Sequence, residues 1–223
     1  MQKKQIIIKI WIDLLTFLAG FLNGGFFLQA GAAVSHHSGN ITRLALDISL
    51  GAFKEAASVF IFLFFFCAGS CISGILFHDR HFRFSKRYGV LLMAFSTILL
   101  LIALFNPPMQ LALAASCIIL GMQNGMFIFY KDILIRTTHF SGYLTDAGLA
   151  LGMVLRGKRH ELKRCLFYVS GIVCFITGAA ASVFVAPQVF FYTAAFLYFL
   201  TGLFYFIFRT YETMVYPAAD THQ

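Results

Sequence analysis

Charge is what this sequence has least of. Of 223 residues only 12% are Asp, Glu, Lys or Arg, and only nine are acidic. A soluble domain carries about 25% charge. With 60% hydrophobic residues, 28 Phe among them, and a mean hydropathy of +0.81, no soluble fold of this size could hide so much apolar surface. A second scarcity is chemical. There is no phosphate-binding Gly-rich loop, no redox motif, no nucleic-acid module and no Gly-x-Ser-x-Gly elbow. The five cysteines stand inside apolar runs, an odd number of buried thiols that does not form a disulfide framework. Cys67 and Cys71 share a helical spacing but have no His or acid near them, so they read as packing residues. These absences point away from an enzyme, from a metal or cofactor, and from a nucleic-acid partner. The class is an all-α integral membrane protein with the lipid bilayer as its surroundings.

What is present is long apolar segments. A bilayer core about 30 Å thick needs about 20 apolar residues as a helix. Six windows approach that length: Leu14 to Val34, Ala56 to Phe77, Tyr88 to Phe105, Met109 to Tyr130, Cys165 to Ala186 and Val189 to Phe208. Asn106-Pro107-Pro108 separates the third from the fourth, and Pro187 the fifth from the sixth, because proline cannot continue a helix. The first window is read as a retained span, since polar motif sequence rather than a cleavage site follows it. With the N-terminus placed inside, 15 of the 17 cationic residues fall on the inner side, and only Arg43 and Lys54 fall outside. That asymmetry predicts six transmembrane helices with both termini cytoplasmic.

One octapeptide occurs twice. Residues 35–42 read Ser-His-His-Ser-Gly-Asn-Ile-Thr, and residues 138–145 read Thr-His-Phe-Ser-Gly-Tyr-Leu-Thr, 103 residues later. A shorter match lies upstream of each copy: Gly20-Phe21-Leu22-Asn23-Gly24 and Gly121-Met122-Gln123-Asn124-Gly125. Matched motifs in the same order indicate an internal duplication. The expected domain is one membrane unit over 1–223. Repeat 1 covers about 10–106, repeat 2 about 107–210, and a cytoplasmic tail runs over 211–223. Each half reads as span, motif with a short helix, span, span. The short segments, 39–54 and 142–157, are too short to cross and are expected as interfacial or re-entrant helices. Three spans per repeat place the second copy in the membrane upside down, giving two inverted three-helix repeats.

Candidate site residues follow from the motif. Asn23, Gln123 and Asn124 offer amides within apolar spans. His36 and His139 occupy equivalent positions, suited to proton coupling or to a capping cluster at the surface. Ser38 and Ser141, each before a glycine (Gly39, Gly142), suit an N-cap or an anion-binding helix start. Asn40 and Thr145 complete the two copies. The offset also aligns Arg43 with Asp146, which would pair across the repeat axis or lie solvated at headgroup level. Arg43 can alternatively pair with Asp47, four residues on. These substrate-binding candidates predict a small-solute permease working between inverted halves. A membrane scaffold or partner-binding subunit is the alternative, and a homo-oligomer is compatible with either.

The Ala19-Gly20…Asn23 segment, the His-His-Ser-Gly-Asn run at 36–40, Gly121-Met122-Gln123-Asn124, and the block from Arg136 to Gly148 together resemble the YoaK-like family of small bacterial inner-membrane proteins. The resemblance covers about residues 10–210. It implies a six-span protein of the bacterial cytoplasmic membrane and brings no substrate or activity. The family pattern has Thr-Gly where this chain has Ser38-Gly39 and Ser141-Gly142, and an Asp is common at the position of Asn23.

Overall fold

The computed structural model describes residues 2–31, 33–78, 85–126, 133 and 135–215. Arg80, Arg83 and Lys131, counted above for orientation, lie outside these residues, as do Tyr130 and the 216–223 part of the expected tail. The described chain is helical: α1 Gln2–Ala30, α2 His37–Ser49, α3 Phe53–Leu76, α4 Lys86–Phe105, α5 Met109–Gly125, α6 Phe140–Leu155, α7 Leu162–Ser182 and α8 Phe190–Val215. Five of these, α1, α3, α4, α7 and α8, are long and apolar enough to cross a membrane. α5 has 17 residues. Their outer surfaces stay apolar: Phe60, Phe64, Leu104, Ile176 and Ile207 are all exposed. In water such a surface would be untenable, and in a bilayer it costs nothing.

Helix ends fall where the backbone dictates. Asn106 adopts a left-handed conformation, φ 43°, and ends α4, and the two prolines behind it fix the turn before α5. Pro187 opens a single 3₁₀ turn leading into α8. The first apolar window extends to Val34, but α1 stops at Ala30. Gly31 has φ +62°, a conformation that glycine adopts without a Cβ penalty, and the chain there leaves the helix. Val34 is buried in the returning loop instead.

Close backbone approach decides which helices pair. A Cβ on Gly20 would overlap the Phe175 carbonyl, and one on Gly178 would overlap the Phe17 carbonyl, so α1 and α7 cross with their backbones in contact. The second crossing has the same form. A Cβ on Gly121 would overlap the Phe66 carbonyl, and one on Gly69 the Ile118 carbonyl, bringing α5 onto α3. One turn further on, Gly24 meets Ala179 and Ser182, and Gly125 meets Ser70 and Ser73. The order of these contacts makes α1 parallel to α7, and α5 parallel to α3.

The remaining directions follow from ring and side-chain contacts. Trp11 stacks on Tyr205 at 4.6 Å while Phe21 stacks on Phe190 at 5.2 Å, so α8 runs against α1. Gly89 faces Phe206, and Gly202 faces Met93, so α8 also runs against α4. The Tyr88 hydroxyl donates to the Met126 carbonyl at 3.3 Å, joining the start of α4 to the end of α5. Hence α5 runs opposite to α1. The core lies between these helices, with Trp11, Phe21, Phe95, Phe190, Tyr198 and Tyr205 at its centre.

Candidate functional site

The two short helices are hairpin partners of the spans that follow them. α2 has 13 residues, about 20 Å of helix. Its far end turns at Gly51, φ +74°, into α3. Its near end lies beside the middle of α3, where the His37 ring meets the Phe66 ring at 4.3 Å. α6 repeats this on α7. Its far end turns at Gly157, φ +91°, and its first residue, Phe140, packs on Phe175 at 4.1 Å, near the middle of α7. Tyr143 fills the space over Gly171, where a Cβ would overlap its ring. Each short helix therefore begins at mid-length of a long one and runs back toward its end.

The two beginnings also meet each other. The His36 ring lies 6.1 Å from Phe140 and 5.2 Å from Phe175. One aromatic contact thus joins the residue before α2, the first residue of α6 and the middle of α7.

An asparagine holds each beginning in place. After Gly31 the chain folds back along α1 until Ser35 reaches Asn23. The Ser35 backbone N–H donates to Asn23 Oδ1 at 3.2 Å, and its hydroxyl donates to the same oxygen at 3.0 Å. The Asn23 amide lies 3.2 Å from His36 Nδ1 and donates to it in the Nε2–H tautomer. In the second copy the Thr138 N–H donates to Asn124 Oδ1 at 3.3 Å. Both asparagines are buried. The two repeated strings are therefore parts of one device: an amide in a long helix clasps the first residue of the octapeptide. Within the octapeptides, the Thr42 hydroxyl donates to the Ser38 carbonyl at 3.2 Å, and Thr145 to Ser141 at 3.0 Å.

Beside this device the second half adds a bond set of its own. Gln123 is fully buried. Its amide nitrogen donates to the Leu15 carbonyl at 2.9 Å and to the Thr137 hydroxyl at 3.0 Å, and its oxygen accepts from the Tyr198 hydroxyl at 2.7 Å. It ties α1, α5, α8 and the 135–139 turn at one point. The aligned positions in the first half are Leu22 and Val34, both buried and apolar.

Not every expected residue joins this centre. Ser38, Gly39, Arg43, His139, Ser141 and Thr145 are exposed, while Asn40, Gly142 and Asp146 are half-buried. The serines expected as N-caps lie inside the first turns, with His36 and His139 in the cap positions and no side chain capping either helix. The reason is the clasp: it fixes residues 35 and 138, so the helix starts two residues before each serine's expected place. Asn40 reaches back to the Ala33 carbonyl at 3.3 Å. Of the charges expected to meet across the axis, Arg43 faces Asp47 at 3.6 Å on its own helix, and Asp146 is half-buried on α6.

Some polar residues of this region were not singled out from the sequence. Ser35 and Thr138 stand at the matched first position of the octapeptide, and that match was the available signal. Tyr198 gave none, being one more aromatic in an aromatic run. Lys9 pairs with Asp13 and reaches Ser170 on α7, and the four-residue spacing of the first two was readable. Among the described residues no group of three or more His, Cys, Asp or Glu is placed to hold a metal ion.

No curated protein and no solved structure matches the chain. The family model described as a protein of unknown function (DUF1275) matches residues 12–208, nearly the whole of the helical unit just described. The resemblance noted above points the same way, since YoaK is a member of that family. On this match the chain belongs to the DUF1275 family of proteins of unknown function.

Proposed function

We propose that this protein is a small-solute permease built from two inverted three-span halves, with its solute path passing between the starts of α2 and α6. The observation that carries the reading is that both short helices begin at mid-length of their neighbouring spans and that their beginnings meet at His36 and Phe140. Half-helices starting at membrane mid-depth are the form that solute sites take in transporters built from inverted halves. Irregular backbone at that depth is tolerated where it is buried in protein or lines a wet cavity.

Four further observations support it. The Gly–carbonyl crossings of α1 on α7 and α5 on α3 match residue for residue, and α5 runs opposite to α1. Neither α2 nor α6 has a side-chain cap, so the first-turn N–H groups of both are available to a solute with an accepting or anionic group. Asn23, Gln123, Asn124 and His36 supply exchangeable polar groups there. Finally, the excess of Lys and Arg on one side of the spans supports an arrangement with both termini cytoplasmic.

A partner-binding subunit is the second reading. It is favoured by α2, none of whose residues is buried and whose Ile41 and Leu46 are both 58% exposed. Flux into proteoliposomes separates the two. The permease reading expects uptake from a broad panel of small anionic and neutral solutes, reduced about tenfold or more by Asn124→Leu. Wild-type vesicles indistinguishable from protein-free ones across the panel would reject it.

A further inference from the structure

The N-terminal ends of α1 and α7 flank a cleft of about 770 Å³, away from the centre described above. Lys9, His160, Lys163 and Arg164 are among the residues that line it. Arg164 and His160 both contact the Glu161 carboxylate, at 3.3 Å and 3.2 Å, and Lys9 pairs with Asp13, while Lys163 is exposed with no ion-pair partner among the described residues. The rest of its lining is largely apolar: Ile6 is 59% exposed and Leu166 57%. Cations beside an open apolar trough match an amphiphile with an anionic head. They do not match a small polar solute, which would leave the trough uncovered.

The chain contains its own comparison. The corresponding ends of α5 and α3 flank a second cleft, of about 320 Å³. By the glycine alignment Gln110 stands there in place of Lys9, Glu55 in place of Arg164 and Ser58 in place of Phe167. Arg43 also lines it. The same alignment matches Lys163 with Lys54, so the two places differ in size and at the Lys9/Gln110 and Arg164/Glu55 positions. Helix crossing alone would make the two alike, so the difference lies in what each accommodates.

We infer that the α1–α7 cleft binds an acidic phospholipid, its phosphate held by Lys163, Arg164 and His160 and its acyl chains lying along Ile6, Ile10 and Leu166. Basic clefts between spans on the inner face are suited to such headgroups.

The test uses the full chain in phosphatidylcholine nanodiscs containing a minority of brominated phosphatidylglycerol. A tryptophan introduced by Leu166→Trp reports on the cleft, and one introduced by Leu111→Trp reports on the corresponding α5 surface. The expected result is quenching at 166 well above that predicted from the phosphatidylglycerol mole fraction, with quenching at 111 following the mole fraction. Adding Lys163→Gln and Arg164→Gln should bring position 166 down to the level of 111. Native mass spectrometry of the unsubstituted protein gives a second readout that needs no variant: retained phosphatidylglycerol should exceed retained phosphatidylcholine about tenfold. Equal retention of the two lipids would overturn the assignment. So would displacement of the lipid by inorganic phosphate at comparable concentration, because the apolar trough would then contribute nothing.

Discussion

Asn23 and Asn124 show how little chemistry the chain uses to shape its interior. Each is a buried amide in an apolar helix, and each spends its carbonyl on the backbone N–H of a residue that the sequence places just over a dozen positions later. A buried donor without a partner costs about 1–3 kcal/mol, so removing the amide acts on the loop rather than on the helix that carries it. Asn23→Leu should destabilise by about 1–3 kcal/mol and raise hydrogen exchange over residues 33–40. Unchanged exchange there, measured in detergent, would show that the clasp does not hold the loop. Gln123→Leu removes three bonds at once and leaves the Tyr198 hydroxyl unpaired. Its expected cost is also about 1–3 kcal/mol, seen as a lower melting temperature. Tyr198→Phe in the Gln123→Leu background should recover part of it, since the orphaned hydroxyl is then gone.

At the scale of elements, glycine sets the geometry and the long apolar side chains fill what is left. The α1–α7 and α5–α3 crossings each bring a carbonyl of one helix to a place where the other has no Cβ. Gly178→Leu and Gly69→Leu are therefore expected to separate their helix pairs. Each should cost on the order of 1–3 kcal/mol or abolish folding, by the penalty for overfilling a packed interior. Gly148→Leu, where nothing lies within 4 Å, is the control and should leave the melting temperature close to wild type. The same crossings explain the short helices. With α1 against α7 and α5 against α3, the middles of α3 and α7 offer Phe66 and Phe175 as seats for His37 and Phe140. The charged pairs on these helices matter less. Arg43 is 62% exposed and faces Asp47 at 3.6 Å, so Arg43→Ala should change stability by about 0–1 kcal/mol.

For the whole molecule the decisive relation is direction. α1 and α7 run one way, α3 and α5 the other, and α8 runs against both α1 and α4. Under the proposed arrangement, alternating crossings of a membrane by six segments would produce this set of directions. Leu50 and Leu155, at the far ends of α2 and α6, are 81% and 79% exposed. With the five native cysteines replaced by alanine, an impermeant maleimide added to intact cells should label Leu50→Cys, and should label Leu155→Cys only after the cells are opened. Labelling of both from one side would reject the inverted arrangement and, with it, the proposed path.

Much of this was legible in the residues. Low charge and long apolar runs required a helical membrane protein, because only a helix satisfies its own backbone without water. Prolines and Asn106 located the breaks between spans, and the doubled octapeptide located the two short helices. Those features are local, written in composition and spacing. Tertiary structure alone decided the rest. It returned the chain after Gly31 to Asn23, moved the cap positions from the serines to His36 and His139, and kept Arg43 with Asp47 on its own helix. It also set where along a neighbouring helix each short helix begins. That depends on which residue a helix start packs against, and it is fixed by contacts between segments far apart in the chain, to which no single segment's composition responds.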